Sequence, residues 1–325
     1  MDAALTRPAV RSQMITASQM ITASQMITAS QMITAAEVIT VEWGTATDRG
    51  LIRAVNEDSL LASPPVFLVA DGMGGYQSGD TASAIVVEEF ATAPGIERVT
   101  PEWVMRSFDR ADLRIRSGAG GGTTVAGIAV VQQDSTPYWL VFNIGDSRVY
   151  RCIAGRLTQV SVDHSVVQEL VDEGKVAAES ARFHPERHII TRAVGSPEPP
   201  HPDFWLLPAE VGERLLLCSD GLSSEVDAGD IAKIVTGSGT PQEIADALVA
   251  QAISAGGRDN VTTIVVDVVG VGDDLVGEVG VAGTEVGAVD EATRPRIRTV
   301  PTVPGPTVPG PTDSGPTTPG VIEPI

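Results

Sequence analysis

Apolar and polar positions along this chain change rhythm twice. Between about Val38 and Val269 apolar runs of strand length alternate with stretches of helical period. Val38–Ala46 and Ser59–Ala70 read as strands, the second broken by Ser63, Pro64 and Pro65. Ser78–Thr92 reads as a helix that starts just after a glycine turn. Pro101–Arg116 is a second helix, with Val104, Phe108, Ala111 and Ile115 on one face. After a loop at Gly118–Gly122, the segments Thr123–Val131, Tyr138–Asn143 and Arg148–Cys152 read as consecutive antiparallel strands. His164–Glu173 is a short helix stopped by Gly174. Residues 174–204 are polar and proline-rich and read as an ordered surface insertion. Glu213–Ser219 is a strand. Thr240 and Pro241 open a helix with Ile244, Leu248 and Ala252 on its buried face, and Gly256 closes it. Val261–Val269 is the last strand.

Strands arrive in runs with helices between them, not in strict strand–helix alternation. That order favours an α+β fold, with antiparallel sheets covered by helices, over a doubly wound parallel sheet. Outside the packed segment the rhythm is lost. Residues 12–35 are four copies of Ser-Gln-Met-Ile-Thr-Ala, a period that suits neither helix nor amphipathic strand. From Gly270 the chain is glycine-rich and acidic, and from Arg294 it is rich in Pro and Thr. The expected organisation is a flexible arm over 1–37, one domain over 38–269 and a disordered tail over 270–325.

Composition narrows the partners. The 325 residues carry a formal charge of −20, most of it on the packed segment, which argues against nucleic acid or an anionic membrane as partner. A phosphorylated substrate would have to be drawn in locally, by metal ions and an arginine. No apolar run reaches the roughly 18 residues of a membrane span. The two cysteines, Cys152 and Cys218, lack metal-ligand spacing and read as buried reduced thiols of a cytoplasmic protein.

The chemistry gathers at strand ends. Phe67-Leu-Val-Ala delivers Asp71, followed by Gly72, Met73, Gly74 and Gly75. Leu215-Leu-Leu-Cys-Ser delivers Asp220 before Gly221, and Val141-Phe-Asn-Ile-Gly delivers Asp146. Asp259 stands just ahead of the final strand. One such aspartate is most often a turn former. Several brought together would make a site for a hard cation.

Upstream, Arg53 precedes Asn56, Glu57 and Asp58. With Val69-Ala-Asp71-Gly72-Met-Gly-Gly75, Gly122-Thr-Thr124, Gly145-Asp146-Ser-Arg148, Asp163-His164-Ser165, Ile190-Thr-Arg192-Ala-Val-Gly195, Ser219-Asp220-Gly221 and Arg258-Asp259-Asn260, these motifs occur in one order. Together, over roughly residues 40–268, they resemble the metal-dependent protein phosphatases of the PPM (PP2C) family, bacterial branch.

The resemblance implies a four-layer αββα sandwich, with two central antiparallel sheets flanked by helices and a two-metal cleft at one end. It implies that Asp71 bridges two Mn²⁺ or Mg²⁺ ions and that Gly72 lends its carbonyl to one of them. Asp220 and Asp259 then complete the other, and Glu57 and Asp58 hold metal-bound waters. Asp146 is implied for a weaker third ion. Arg53 would grip the phosphate, and a metal-activated hydroxide would hydrolyse phosphoserine or phosphothreonine in proteins, opposing bacterial Ser/Thr kinases. A narrower form of this reading is a regulatory phosphatase acting on one stress-response factor. Two departures stand out. Met73 replaces the histidine that animal members use as general acid, and Ser223-Ser224 occupies the position of a third-site acid, with Glu225 one residue further on. The alternative of another class is a non-catalytic domain that keeps the fold and a metal. His164 is expected as a helix-start fixture, Thr123 and Thr124 as strand packing, and Arg192 either as a support of the insertion or as a substrate contact.

Overall fold

A computed structural model describes residues 33–35, 39–74, 78–95, 98–118, 120–133, 136–271 and 297–298. Most of the repeat arm and of the Pro/Thr tail therefore lies outside the described residues. Along the chain, β1 (Ile33–Ala35), β2 (Ile39–Asp48), β3 (Asp58–Ser63) and β4 (Val66–Met73) precede helices α1 (Ser78–Phe90) and α2 (Pro101–Ser117). Next come β5 (Gly122–Thr123), β6 (Val125–Gln133), β7 (Thr136–Ile144), β8 (Arg148–Ile153), β9 (Arg156–Gln159), α3 (Val166–Asp172) and α4 (Ala178–Ala181). The chain continues through β10 (Asp203–Pro208), β11 (Arg214–Cys218), α5 (Asp220–Glu225), α6 (Ala228–Val235), α7 (Pro241–Ala255) and β12 (Val261–Val271), and a short β13 spans Ile297–Arg298.

Two sheets form. One runs β1-β2-β12-β11-β8-β9, the other β13-β10-β7-β6-β4-β3, with β5 attached to β4. Among the described residues every pairing is antiparallel except β10 with β13. The central strands are apolar on both faces because each face is covered. On β4, Phe67 and Val69 turn into the core shared with Leu215, Leu217, Ile264 and Val266 of the facing sheet. Val66, Leu68 and Ala70 turn the other way, onto Val86 and Phe90 of α1 and Phe108 of α2. On the opposite flank Leu216, Cys218 and Val265 pack under Ile231 of α6 and Leu248 of α7. Strand alternation therefore supplies three apolar layers and the αββα order.

Helix ends follow local rules. Thr100 caps α2 ahead of Pro101, and Thr240 forms a reciprocal capping box with Glu243 ahead of Pro241 in α7. Among the described residues no helix is long and apolar enough to cross a membrane.

The structure corrects one reading and adds elements to it. Strands β7 and β8 are not neighbours: β7 pairs with β6 and β10, while β8 joins the other sheet beside β11. The chain crosses between sheets at Gly145, whose positive φ of 98° permits the turn. The structure adds strands β9 and β10 and helices α5 and α6. Each is short, and β10, though apolar over Phe204–Leu207, starts at the end of the polar, proline-rich insertion, so these segments acquire meaning only against their neighbours. Two short strands also fall within the stretches expected as arm and tail: β1, the end of the last repeat copy, pairs with β2, and β13 pairs with β10.

Candidate active site

Antiparallel order places the end of one strand beside the start of the next, so acids at such ends share one rim of the sandwich. Asp58 opens β3 and stands opposite Asp71 near the end of β4. Asp146 lies in the crossover between β7 and β8. Asp220 begins α5 directly after β11, and Asp259 sits ahead of β12. Their fields overlap. Burial raises the Asp71 carboxyl well above its ordinary value, and the charges of Asp58, Asp220, Asp146 and Asp259 push it further. Asp71 in turn offsets part of the rise that burial imposes at Asp220.

A hydrogen-bonded frame holds these segments. The Asp71 carbonyl accepts from Thr124 N at 2.9 Å and from Thr123 Oγ1 at 2.9 Å. Thr124 Oγ1 and Ser147 Oγ lie 2.7 Å apart, which ties β4 to the Asp146 turn. Asn260 is a knot: its Oδ1 accepts from Glu57 N at 2.8 Å, and its Nδ2 donates to the carbonyls of Arg49 and Val55, each at 2.9 Å. Ser219 Oγ donates to Asp58 Oδ2 at 2.8 Å and accepts from Thr262 N at 2.9 Å. Gly72 lies backbone to backbone with Gly79 at the start of α1, and a Cβ at residue 72 would be driven into the Gly79 carbonyl. The glycine after Asp71 is thus required by close approach, since Gly74, not Gly72, is the one with positive φ. Gly221 behaves alike, because a Cβ there would meet the Asn260 carbonyl.

The electrostatics call for a counter-charge. Burial pushes Asp58 up to about 7, against hydrogen bonds from Thr262 and Ser219 and with Asp220 and Asp259 adding to the rise. Burial and the charges of Asp220 and Asp163 push Asp146 up to about 8. Asp220 is raised too, first by burial and then by Asp259. Among the described residues Glu57 Oε1 and Asp58 Oδ1 are buried with no hydrogen-bond partner. Buried carboxylate oxygens left in this way are costly unless a cation or ordered water meets them. The donor set, all carboxylate and carbonyl oxygen, fits Mg²⁺ or Mn²⁺ and not zinc. Among the described residues no group of three or more His, Cys, Asp and Glu side chains is arranged to hold a metal ion by itself. An all-oxygen site filled out by a backbone carbonyl and water needs no such group.

Arg53 stands on the rim, about half exposed, its Nη2 2.7 Å from Asp259 Oδ2 and its Nη1 3.8 Å from Glu57 Oε2. Met73, at the end of β4 opposite Gly122, brings no proton donor. Glu225, the acid next to the expected third-site position, is committed elsewhere: its carboxylate accepts from Arg258 N at 3.1 Å and pairs with Arg258 Nη1 at 3.4 Å.

His164 is not the helix-start fixture it was expected to be. Ser165 caps α3, while His164 Nδ1 accepts from Gly145 N at 3.1 Å and its own N–H bonds the Gly145 carbonyl at 2.9 Å. It clamps the crossover that carries Asp146. Arg192 Nη1 reaches Asp203 at 3.2 Å, which ties the insertion to the start of β10. Thr123 and Thr124 bind the Asp71 backbone, as packing residues do.

Sequence reasoning passed over three supports. Arg148 grips Asp163 through Nε at 2.9 Å and Nη2 at 2.6 Å, bracing the Asp146 turn. Ser219 orients Asp58. His188, in the insertion, lies within electrostatic reach of Asp220 and lowers its pKa. One signal for His188 was available, since all four histidines fall between 164 and 201.

An αββα sandwich with acids from both sheets collected at one end defines a phosphatase of the PP2C class. No family model matches the chain, but individual proteins do. It is 34% identical over 244 residues to the serine/threonine phosphatase stp of Listeria monocytogenes, covering 68% of this chain and 93% of that protein. It is 36% identical over 249 residues to the serine/threonine protein phosphatase PstP of Mycobacterium tuberculosis, covering 70% of this chain and 45% of that longer protein. Among solved structures, the catalytic domain of PstP in complex with two manganese ions superposes with a TM-score of 0.63 at 34% identity, over 71% of this chain and 99% of that one. The chain belongs to the bacterial PPM/PP2C-type serine/threonine protein phosphatases.

Proposed function

We propose that this protein hydrolyses phosphoserine and phosphothreonine in protein substrates, in the cytoplasm and in opposition to bacterial Ser/Thr kinases. Asp71, the Gly72 carbonyl, Asp220 and Asp259 would hold two Mn²⁺ or Mg²⁺ ions, with Glu57 and Asp58 holding their waters and Asp146 a weaker third ion. Bound there, the ions supply positive charge that activates water and offsets charge on the phosphoryl group. The arm, the domain and the tail are taken as 1–37, 38–269 and 270–325.

The chain's own residues set up the rest. Arg53 offers a planar fork to two phosphate oxygens, and its hold on Asp259 keeps that fork at the rim. Asn260 and Ser219 fix Glu57 and Asp58 from behind. His164 and Arg148 hold the Asp146 turn. The observation that carries the reading is one residue's surroundings: Asp71 feels four other aspartates drawn from separate segments of the chain. The manganese found with PstP supports the choice of ion.

The test is manganese-dependent release of phosphate from p-nitrophenyl phosphate and from a phosphothreonine peptide, abolished by chelator. No release from either substrate under saturating Mn²⁺ would leave the non-catalytic alternative standing.

A further inference from the structure

The loop that carries Arg53 also carries an unusual share of exposed apolar surface. Leu51, Ile52 and Val55 are 64%, 72% and 48% exposed. Three of the eight large apolar residues exposed among the described ones thus lie within two residues of the proposed phosphate-binding guanidinium.

The loop cannot hide them. Asn260 Nδ2 fixes the Arg49 and Val55 carbonyls at its two ends, and Leu51 N donates to the Gly257 carbonyl at 2.7 Å. Arg49 Nη1 closes the loop on the Ala54 carbonyl at 3.1 Å. Gly50, with φ of 77°, is pressed against the Asp259 carbonyl. A backbone held at so many points presents its side chains in a fixed direction, so little ordering entropy is lost when something binds them. Apolar patches rimmed by polar groups mark interaction surfaces. This one adjoins the cleft.

We propose that Leu51, Ile52 and Val55 form a docking lip for apolar side chains next to the phosphorylated residue of a protein substrate. The proposal rests on the phosphatase reading above and sharpens its substrate class. Two features favour this occupant. The lip flanks Arg53 in one short loop, so a chain whose phosphate reaches that residue brings its neighbours within reach of Ile52 and Val55. Residues 49–56 also contain two arginines and no acid in a chain of net charge −20, so the lip adds no negative charge of its own to repel a phosphorylated segment.

The experiment compares two phosphothreonine peptides of equal length and charge, one with Leu and Ile beside the phosphothreonine and the other with Ser and Gln there. The apolar peptide is expected to show a kcat/KM roughly tenfold higher, through KM. In Ile52→Ser/Val55→Ser the ratio between the peptides falls toward one, while Val211→Ser/Val269→Ser, an apolar surface pair elsewhere, keeps it. Val55→Ser alone, with thermal melting checked, covers the case in which the double variant folds poorly. Equal kcat/KM for the two peptides in the wild type, with p-nitrophenyl phosphate still cleaved, overturns the lip and leaves the phosphatase reading intact. Failure on p-nitrophenyl phosphate overturns the reading beneath it. Sedimentation showing a wild-type dimer that Ile52→Ser/Val55→Ser converts to monomer would assign the patch to self-association instead.

Discussion

Asp58 and Asp71 stand directly opposite each other across the β3–β4 hairpin, two acids in a register that ordinarily favours opposite charges or apolar pairs. Their cost in the metal-free protein depends on pH. Asp58 gives up its proton near 3.8 in the unfolded chain and at about 7 in the fold. Between those values the native state holds more protons, so stability falls as pH rises. The penalty is absent below the lower value and complete above the upper. In chelator, Asp58→Asn should therefore melt several degrees above wild type at about pH 8 and level with it at about pH 4. Calorimetric melting across that range checks this, and a gap that does not change with pH contradicts it.

Arg53 is tethered to Asp259 and about half exposed, so its loss should touch binding more than folding. Arg53→Ala should raise KM for a phosphopeptide roughly tenfold to a hundredfold, with melting little changed. Arg53→Lys should recover only part of the loss, since an ammonium cannot make the two-pronged contact. Steady-state kinetics with both variants test it, and an unchanged KM in Arg53→Ala would remove Arg53 from the phosphate site.

Gly72 and Gly79 meet backbone to backbone. Gly72→Ala should cost about 2 kcal/mol or more through overpacking, a fall of roughly 4–8 °C in Tm for a domain of this size. It should also weaken Mn²⁺ binding, because relieving the clash shifts the carbonyl at residue 72. Melting and isothermal titration with Mn²⁺ measure the two effects separately.

Asp71 lies where the other acids' fields meet, so Asp71→Ala should abolish both turnover and the stabilisation conferred by Mn²⁺. Turnover that survives in the purified variant contradicts its assignment. Asp146→Ala should remove only a weak phase of the Mn²⁺ titration, since Glu225 is held by Arg258 and Asp146 would share a third ion with Asp220, which the main site already engages. A titration identical to wild type would exclude Asp146 from metal binding.

Much of the site could be read along the chain because its acids sit at the ends of apolar runs, a pattern that survives without any knowledge of neighbours. Asp71, Asp220 and Asp259 each follow or precede a strand that is buried on both faces. The supports could not be read in this way. Ser219 looks like one more small residue, yet it bonds both Asp58 and the β12 backbone. Asn260 looks like a turn residue, yet it ties Glu57 to both ends of the Arg53 loop. Their partners lie more than forty residues away, and a hydrogen-bonding side chain carries no mark of which distant group it will meet. His164 was misjudged for the same reason, its partner Gly145 being visible only once β7 and β8 lie in different sheets.

From the sequence alone came the elements, the strand-end acids and the family they resemble, because periodicity and motif order are properties of a line. Tertiary structure alone decided which sheet each strand joins, why Gly72 must be glycine, and that Arg53 leans on Asp259. Those outcomes depend on which surfaces bury one another, and burial is settled between segments, not within them.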